Sequence, residues 1–483
     1  MTPPDGRSLE RARARFDAGQ DAAARGELDK AAELLREAVA LCAPMWRADA
    51  ASDEALRPQA AILGADAAYA AGMAQIQGGA GADQLRAAVL IGVEIFEREA
   101  LGEGPRLHGL YRAQCAAFEV AHSLSADHPE DASALFGDAA RCAEALDGLE
   151  APDAEKAARV LANAAAASHA LASIARARGD KSFKADLEKA LEYGERAVQA
   201  IELRGALQAE TFLILAEVSY ELALTIEAPS EAAELLRAAL GWTREAAEAP
   251  GANALMQAEA MQRGANYACV YGLYLRNEDF EAGIAALEGA VDLALAVADE
   301  PNLPMALRAP AFDTAIRTRQ NVALLLKERD QHAARRHFEA SSALGRRAAS
   351  TPGLSGGRRA GFLYLAANAQ LEHGILGQSL SSNEADSAAL ASLREARELA
   401  QAALEQPECP PDVEARAALT VCGVSGRLLR AQPTLGGRAE LAIIEAFGRR
   451  AAQAEGAAQE LRDTGARFAA DAAARLSGDP PSS

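Results

Sequence analysis

Apolar residues along this chain recur at spacings of three and four, the period of one helix face, and never settle into the alternating runs bounded by turn residues that mark strands. The clearest unit is GELDKAAELLREAVAL, Gly26 to Leu41, in which Ala31, Leu35 and Ala38 share one face. The two small residues let a second helix approach closely, and the larger one between them fills the gap. Gly19 lies twelve residues before Ala31. The same small, larger, small triplet falls at Ala132, Phe136, Ala139; at Ala190, Gly194, Ala197; at Ala232, Leu236, Ala239; and at Gly283, Leu287, Ala290. It continues at Ala333, His337, Ala340; at Ala389, Leu393, Ala396; and at Ala439, Ile443, Ala446. From Ala132 onward the first positions are 58, 42, 51, 50, 56 and 50 residues apart. So near-regular a series predicts pairs of antiparallel helices of about 20 residues each, joined by short turns. Pro105, Pro129, Pro152, Pro229 and Pro410 stand where helices should begin, and Gly148, Gly179 and Gly251 where they should end. Pro58 and Pro310 fall inside helical patterns and should kink or restart them.

A second recurrence joins the first helices of the pairs. It is carried by LANAAAASHALASIARARGDKSFKADLEKALEYGERAVQA from Leu161, ANYACVYGLYLRNEDFEAGIAALEGAVDLA from Ala265 and QNVALLLKERDQHAARRHFEASSAL from Gln320. Each has an early Asn, an apolar run, a polar turn and an acidic start to the second helix. On these residues and triplets, residues 8 to 460 resemble tetratricopeptide repeats, and in particular the arrays that accompany bacterial caspase-like CHAT proteases and signalling regulators. The period exceeds the standard 34 residues, and the Trp, Tyr and Pro positions of the standard repeat are often missing. The resemblance implies an all-α, right-handed α-solenoid of antiparallel pairs with longer-than-standard repeats. We expect that solenoid over residues 8–435, capping helices of the same solenoid over 436–476, and disordered ends at 1–7 and 477–483. The stretches Gln77 to Asp83 and Ser350 to Gly361 read as turns between helices.

Composition adds that the apolar content is mostly Ala and Leu, with 5% aromatic residues, which suits helices closely packed on helices. The formal charge of −20 argues against nucleic acid and favours a partner with basic segments. The most prominent basic cluster, Arg7, Arg11, Arg13 and Arg15, would spread around a helix. Six separated cysteines without CxxC spacing suggest reduced thiols in a cytoplasmic protein, and no apolar stretch reaches the roughly 18 residues of a membrane span.

Catalytic motifs are few. Gly353, Ser355 and Gly357 match G-x-S-x-G, but a helix rather than a strand precedes them, so a flexible turn is expected. Arg358 and Arg359 beside them could meet an anion at the next helix start. His373 with Gly374, followed by Cys422, resembles the dyad of caspase-like proteases. That dyad needs both residues at adjacent strand ends, whereas a helical stretch separates them here. His332 and His337, five residues apart, point about 140° apart on a helix, and neither metal nor cofactor is implied.

The recognition candidates are Tyr267, Tyr271 and Tyr274, a stripe at spacings of four and three, with Arg263 and Asn266 beside it; core packing is the competing reading. Asn163, Asn321 and Asn368, like Asn266, would either line a concave groove or bond neighbouring helices. These features describe a non-catalytic scaffold or adaptor that holds a protein or peptide partner in its groove. The alternatives are a peptide- or ligand-responsive regulatory sensor, the His373/Cys422 protease, and a closed α/α toroid enzyme.

Overall fold

The computed structural model describes residues 6–477 apart from 48–53, 78–82, 126–127, 147–152, 201–202, 382–385 and 433–436. Gly148, Pro152, most of the Gln77 to Asp83 turn and the two expected disordered ends beyond 6–477 therefore lie outside the described residues. The described residues are helical, without a strand, and divide into two compact units at 257/258. The first holds α1 (Gly6–Ala24), α2 (Leu28–Arg47), α3 (Arg57–Gln77), α4 (Asp83–Glu97), α5 (Glu103–Leu124), α6 (Pro129–Leu146), α7 (Ala154–Ala177), α8 (Phe183–Gln199), α9 (Ala206–Ala223) and α10 (Pro229–Glu248). The second holds α11 (Ala254–Leu275, its first turn before the division), α12 (Phe280–Ala298), α13 (Met305–Leu326), α14 (Gln331–Ala349), α15 (Gly356–Ser381), α16 (Ser387–Leu404), α17 (Pro411–Ala431), α18 (Gly437–Ala452) and α19 (Gln459–Ser477). In each unit the helices pack as antiparallel hairpins set side by side, the α-solenoid arrangement.

The even-numbered helices carry the triplets. Ala31, Leu35 and Ala38 of α2 are buried, as are the triplets of α6, α8, α10, α12 and α16. Two registers require correction. In α14 the buried set is Ala334, Phe338 and Ser341, one residue on from Ala333, His337 and Ala340. Phe338 gains more from burial than His337 could, and it decides the rotation. In α18 the buried residues are Ile444, Gly448 and Ala451, while Ala446 of the expected triplet is exposed. The series also has a member that the spacing skipped: Ala88, Gly92 and Ile95 of α4.

Helix starts follow local chemistry. The acidic residue expected before the second helix of a pair is an N-cap: Asp279 Oδ1 accepts from Ala282 N at 3.0 Å and Asp330 Oδ1 from Ala333 N at 2.9 Å. Pro129 and Pro229 open α6 and α10, Pro58 restarts the chain near the beginning of α3, and Pro310 is accommodated early in α13. An arginine near the start of an odd helix reaches back ten residues to a carbonyl at the end of the preceding even helix. Arg106 bonds Phe96 O, Arg308 bonds Ala298 O and Arg359 bonds Ala349 O, at 2.8, 2.9 and 3.0 Å.

A close backbone contact pairs Gly92 of α4 with Gly109 of α5. A Cβ on Gly92 would stand 2.5 Å from Gly109 O and 2.9 Å from Ala113 N, backbone atoms that cannot swing aside. The Gly92→Ala variant should therefore lose about 1–2 kcal/mol of unfolding free energy despite the better helix propensity of alanine. A urea midpoint equal to or above that of the parent would contradict this packing.

Candidate protein-binding face

Beyond sequence neighbours, contacts run between odd-numbered helices: α1 with α3, α3 with α5, α5 with α7 and α7 with α9 in the first unit. In the second unit they join α13 to α15, α15 to α17 and α17 to α19. Odd helices thus pack on one another as the inner row of each unit, and the residues they leave uncovered form its inner face.

In the first unit that face has an aromatic and charged floor. Asp66 and Tyr69, three apart on α3, share a face with Met73, one turn further on. From α5, Arg112 Nε donates to Asp66 Oδ1 at 2.6 Å, and His108 Nε2 lies 2.9 Å from the same oxygen. The Arg112 guanidinium stacks between Tyr69 and Tyr111, 5.1 and 5.3 Å from their ring centres. Burial pushes the Asp66 carboxyl up, but His108 and Arg112 outweigh it and hold the group below the usual carboxylate range. Burial likewise raises the phenols of Tyr69 and Tyr111, so both rings offer a neutral amphipathic surface. A groove of about 290 Å³ opens over Asp66, Tyr69, Met73 and Arg112, with Phe16 and Gln20 of α1 on its wall.

Charge separates the units. Residues 1–257 hold 25 Lys and Arg against 41 Asp and Glu, net −16; residues 258–483 hold 24 against 28, net −4. The sequence reading overlooked this face, although its repeat would have exposed it. Asp66 and Arg112 are 46 residues apart, as are Tyr69 and Cys115, and Cys115 and Asn163 are 48 apart. These are equivalent places one repeat on.

The recognition candidates divide. Asn163 donates to Cys115 Sγ at 3.7 Å between α7 and α5, and Asn321 to Cys269 Sγ at 3.8 Å between α13 and α11. Asn266 Oδ1 accepts from the Thr314 hydroxyl at 2.6 Å. These three asparagines bond neighbouring inner helices; Asn368 is half-buried on α15. Of the tyrosine stripe on α11, Tyr267 is 4% exposed and belongs to the core, while Tyr271 and Tyr274 are half-buried. Arg263 is held by Glu259 one turn earlier, at 2.7 Å. The structure therefore groups Arg263, Asn266, Tyr271 and Tyr274 on one helix, joins Asn321 to that helix through Cys269, and places Asn163 in the other unit.

Ser355 is the cap of α15, its Oγ accepting from Arg358 N at 3.3 Å, and not a nucleophile on a strand. Its neighbour Arg358 is exposed beside a groove of about 410 Å³ with Arg317 and Phe362. His373 and Cys422 lie on helices α15 and α17 and are engaged separately. His373 Nε2 accepts from Arg335 Nε at 2.9 Å, which leaves the proton on Nδ1, 3.0 Å from Ser392 Oγ. Cys422 Sγ is 3.5 Å from Ile444 O, and burial pushes its thiol up to about 12, opposite to what a nucleophile needs. A longer basic stretch than Arg7 to Arg15 spans residues 305–359, with 11 Lys and Arg against 4 Asp and Glu. Much of it is engaged within the fold: Arg308 and Arg359 on carbonyls, Arg335 on His373, Lys327 on Glu372 and Arg347 on Asp299. Among the described residues, His169, Glu217 and Glu221 are grouped closely enough to hold a metal ion.

The hairpins, their seam of small residues and the inner row define an all-α helical-repeat protein, a solenoid of paired helices. No family model matches the chain, and no curated protein does. Among solved structures it is similar to the S. pombe nuclear import adaptor Nro1, at 14% identity over 65% of this chain and 99% of that one, with a TM-score of 0.44. It is also similar to RapI in its apo form, at 14% identity over 86% and 98% with a TM-score of 0.39. Yeast Tom70 aligns at 13% identity over 96% of both chains, with a TM-score of 0.24. With every score below 0.5, the class rests on the hairpins of this chain. No helix among the described residues is long and apolar enough to cross a membrane.

Proposed function

We propose that this chain is a non-catalytic scaffold that holds an extended segment of another protein, one carrying basic residues, on the inner face of its first unit. The observation that carries the proposal is the Tyr69, Tyr111 and Arg112 stack over Asp66, half-buried along a groove in a unit of net charge −16. Amphipathic rings give contact area with little loss of side-chain freedom, and the acidic surroundings steer a basic segment towards them. In the second unit the equivalent face comprises Arg263, Asn266, Tyr271, Tyr274, Asn321 and Asn368. The six free cysteines suit a reducing cytoplasm. The sequence resemblance adds a class of partner, a bacterial protease or signalling module that the scaffold would recruit or restrain.

The test is affinity capture with the full chain at physiological salt, followed by titration of the recovered partner. Tyr69→Ala and Tyr111→Ala should each weaken binding by about tenfold or more, and the parent affinity should fall as salt is raised. Unchanged affinity in both variants, or indifference to salt, would move the contact off this face. If Tyr271→Ala alone weakens binding, the second unit holds the partner.

A further inference from the structure

We propose that His169, Glu217 and Glu221 form a binding site for one divalent metal ion of the zinc class between α7 and α9. The two glutamates are four residues apart on α9 and so project from one face. His169 meets them from α7, and one ligand atom from each of the three lies within 4.8 Å of the others. The Glu221 side chain is only 9% exposed, and its two oxygens have different fates. Oε1 accepts from Arg176 at 2.5 Å. Oε2 is shut off from solvent without a hydrogen bond, and so is the nitrogen it faces, His169 Nε2, 3.7 Å away.

Two buried polar atoms that face each other without a hydrogen bond are costly and call for a physical reason. Their separation is too long for a hydrogen bond. It is close to what a shared ion would set: bonds of about 2.0–2.2 Å at a tetrahedral angle separate two ligand atoms by roughly 3.4 Å. Arg176 then serves as an outer partner that fixes Glu221 and leaves Oε2 to bind the ion. An imidazole with two carboxylates suits zinc and similar borderline ions better than calcium or magnesium, which take oxygen only. No sequence motif announces the site, because its ligands come from helices 48 and 52 residues apart in the chain.

The full chain, treated with chelator and kept reduced, is titrated with Zn²⁺ by calorimetry and with Co²⁺ by visible absorption. The expected result is one tight equivalent, with a cobalt spectrum free of thiolate charge-transfer bands. His169→Ala and Glu217→Gln should each weaken that equivalent by about 100-fold or more. Glu217→Gln is conservative and partly exposed, so it decides the matter if His169→Ala does not fold. The proposal is overturned if the parent binds no Zn²⁺, which would make the pair a protonated histidine with its carboxylate. It is equally overturned if the equivalent survives in Glu217→Gln or carries the thiolate signature, which would place the ion on cysteines.

Discussion

Replacing Trp46 by alanine should lower the unfolding free energy of the first unit by about 3–5 kcal/mol, the largest loss expected from a single side chain here. Trp46 is 2% exposed at the end of α2. It closes a core with Met45, Ala60, Ala61, Leu63 and Leu101. Its ring lies against the backbone of Gly64 on α3, so closely that a Cβ there would stand 2.6 Å from Cη2. Among its neighbours Ala60, Ala61 and Gly64 have little side chain to extend into the vacated space, so much of the cavity should stay open. The indole Nε1 has no hydrogen bond, so its removal orphans no polar partner. Urea unfolding followed by circular dichroism measures it, with Trp242 left as the fluorescent reporter. A loss below about 1 kcal/mol would show that the α2–α3 seam is not packed around this ring.

The seam illustrates what was legible in the sequence. Even-numbered helices present one apolar stripe to a neighbour and solvent to the rest, so spacings of three and four betray them. Ala232, Leu236 and Ala239 could be read as a triplet and are all fully buried. Where reading failed, alanine was the cause. In α14 alanine stands on both sides of the true seam, at Ala333 and Ala334, and only the burial of Phe338 chooses between them. In α4 the third position is Ile95 rather than a small residue, and the middle one is Gly92, demanded by the approach of Gly109, so a small, larger, small rule passes over the set.

Odd-numbered helices are harder to read, because an inner helix touches its hairpin partner and the next inner helices as well. Apolar residues then occupy several faces, and periodicity loses contrast. Tyr267 shows the consequence, since its place in an aromatic stripe could not say whether it met a partner or the core. Asp66, Tyr69 and Arg112 match no motif. Their significance comes from being brought together by α3 and α5, which only the repeat in three dimensions supplies.

Asp66→Asn should cost about 2–3 kcal/mol at neutral pH, and the cost should shrink in acid. One oxygen of Asp66 serves both His108, whose side chain is 7% exposed, and Arg112, at 25%. Removing one member of a fully buried charged group costs about 3–5 kcal/mol, and the partial exposure of Asp66 and Arg112 reduces that figure. Burial alone would raise the Asp66 carboxyl, but His108 and Arg112 depress it below its unfolded value. A depressed carboxyl contributes stability that is complete above the unfolded pKa, near about 4, and is lost as pH falls through the lower folded value. The parent should therefore lose stability below about pH 4 faster than the variant, and the two curves of unfolding free energy against pH should converge there. Parallel curves would mean that the carboxylate is not coupled to its neighbours. The variant also frees the guanidinium that stacks on Tyr69 and Tyr111, so at neutral pH it should bind the captured partner more weakly than the parent. A loss of stability with full binding would separate the floor of the groove from the surface that meets the partner.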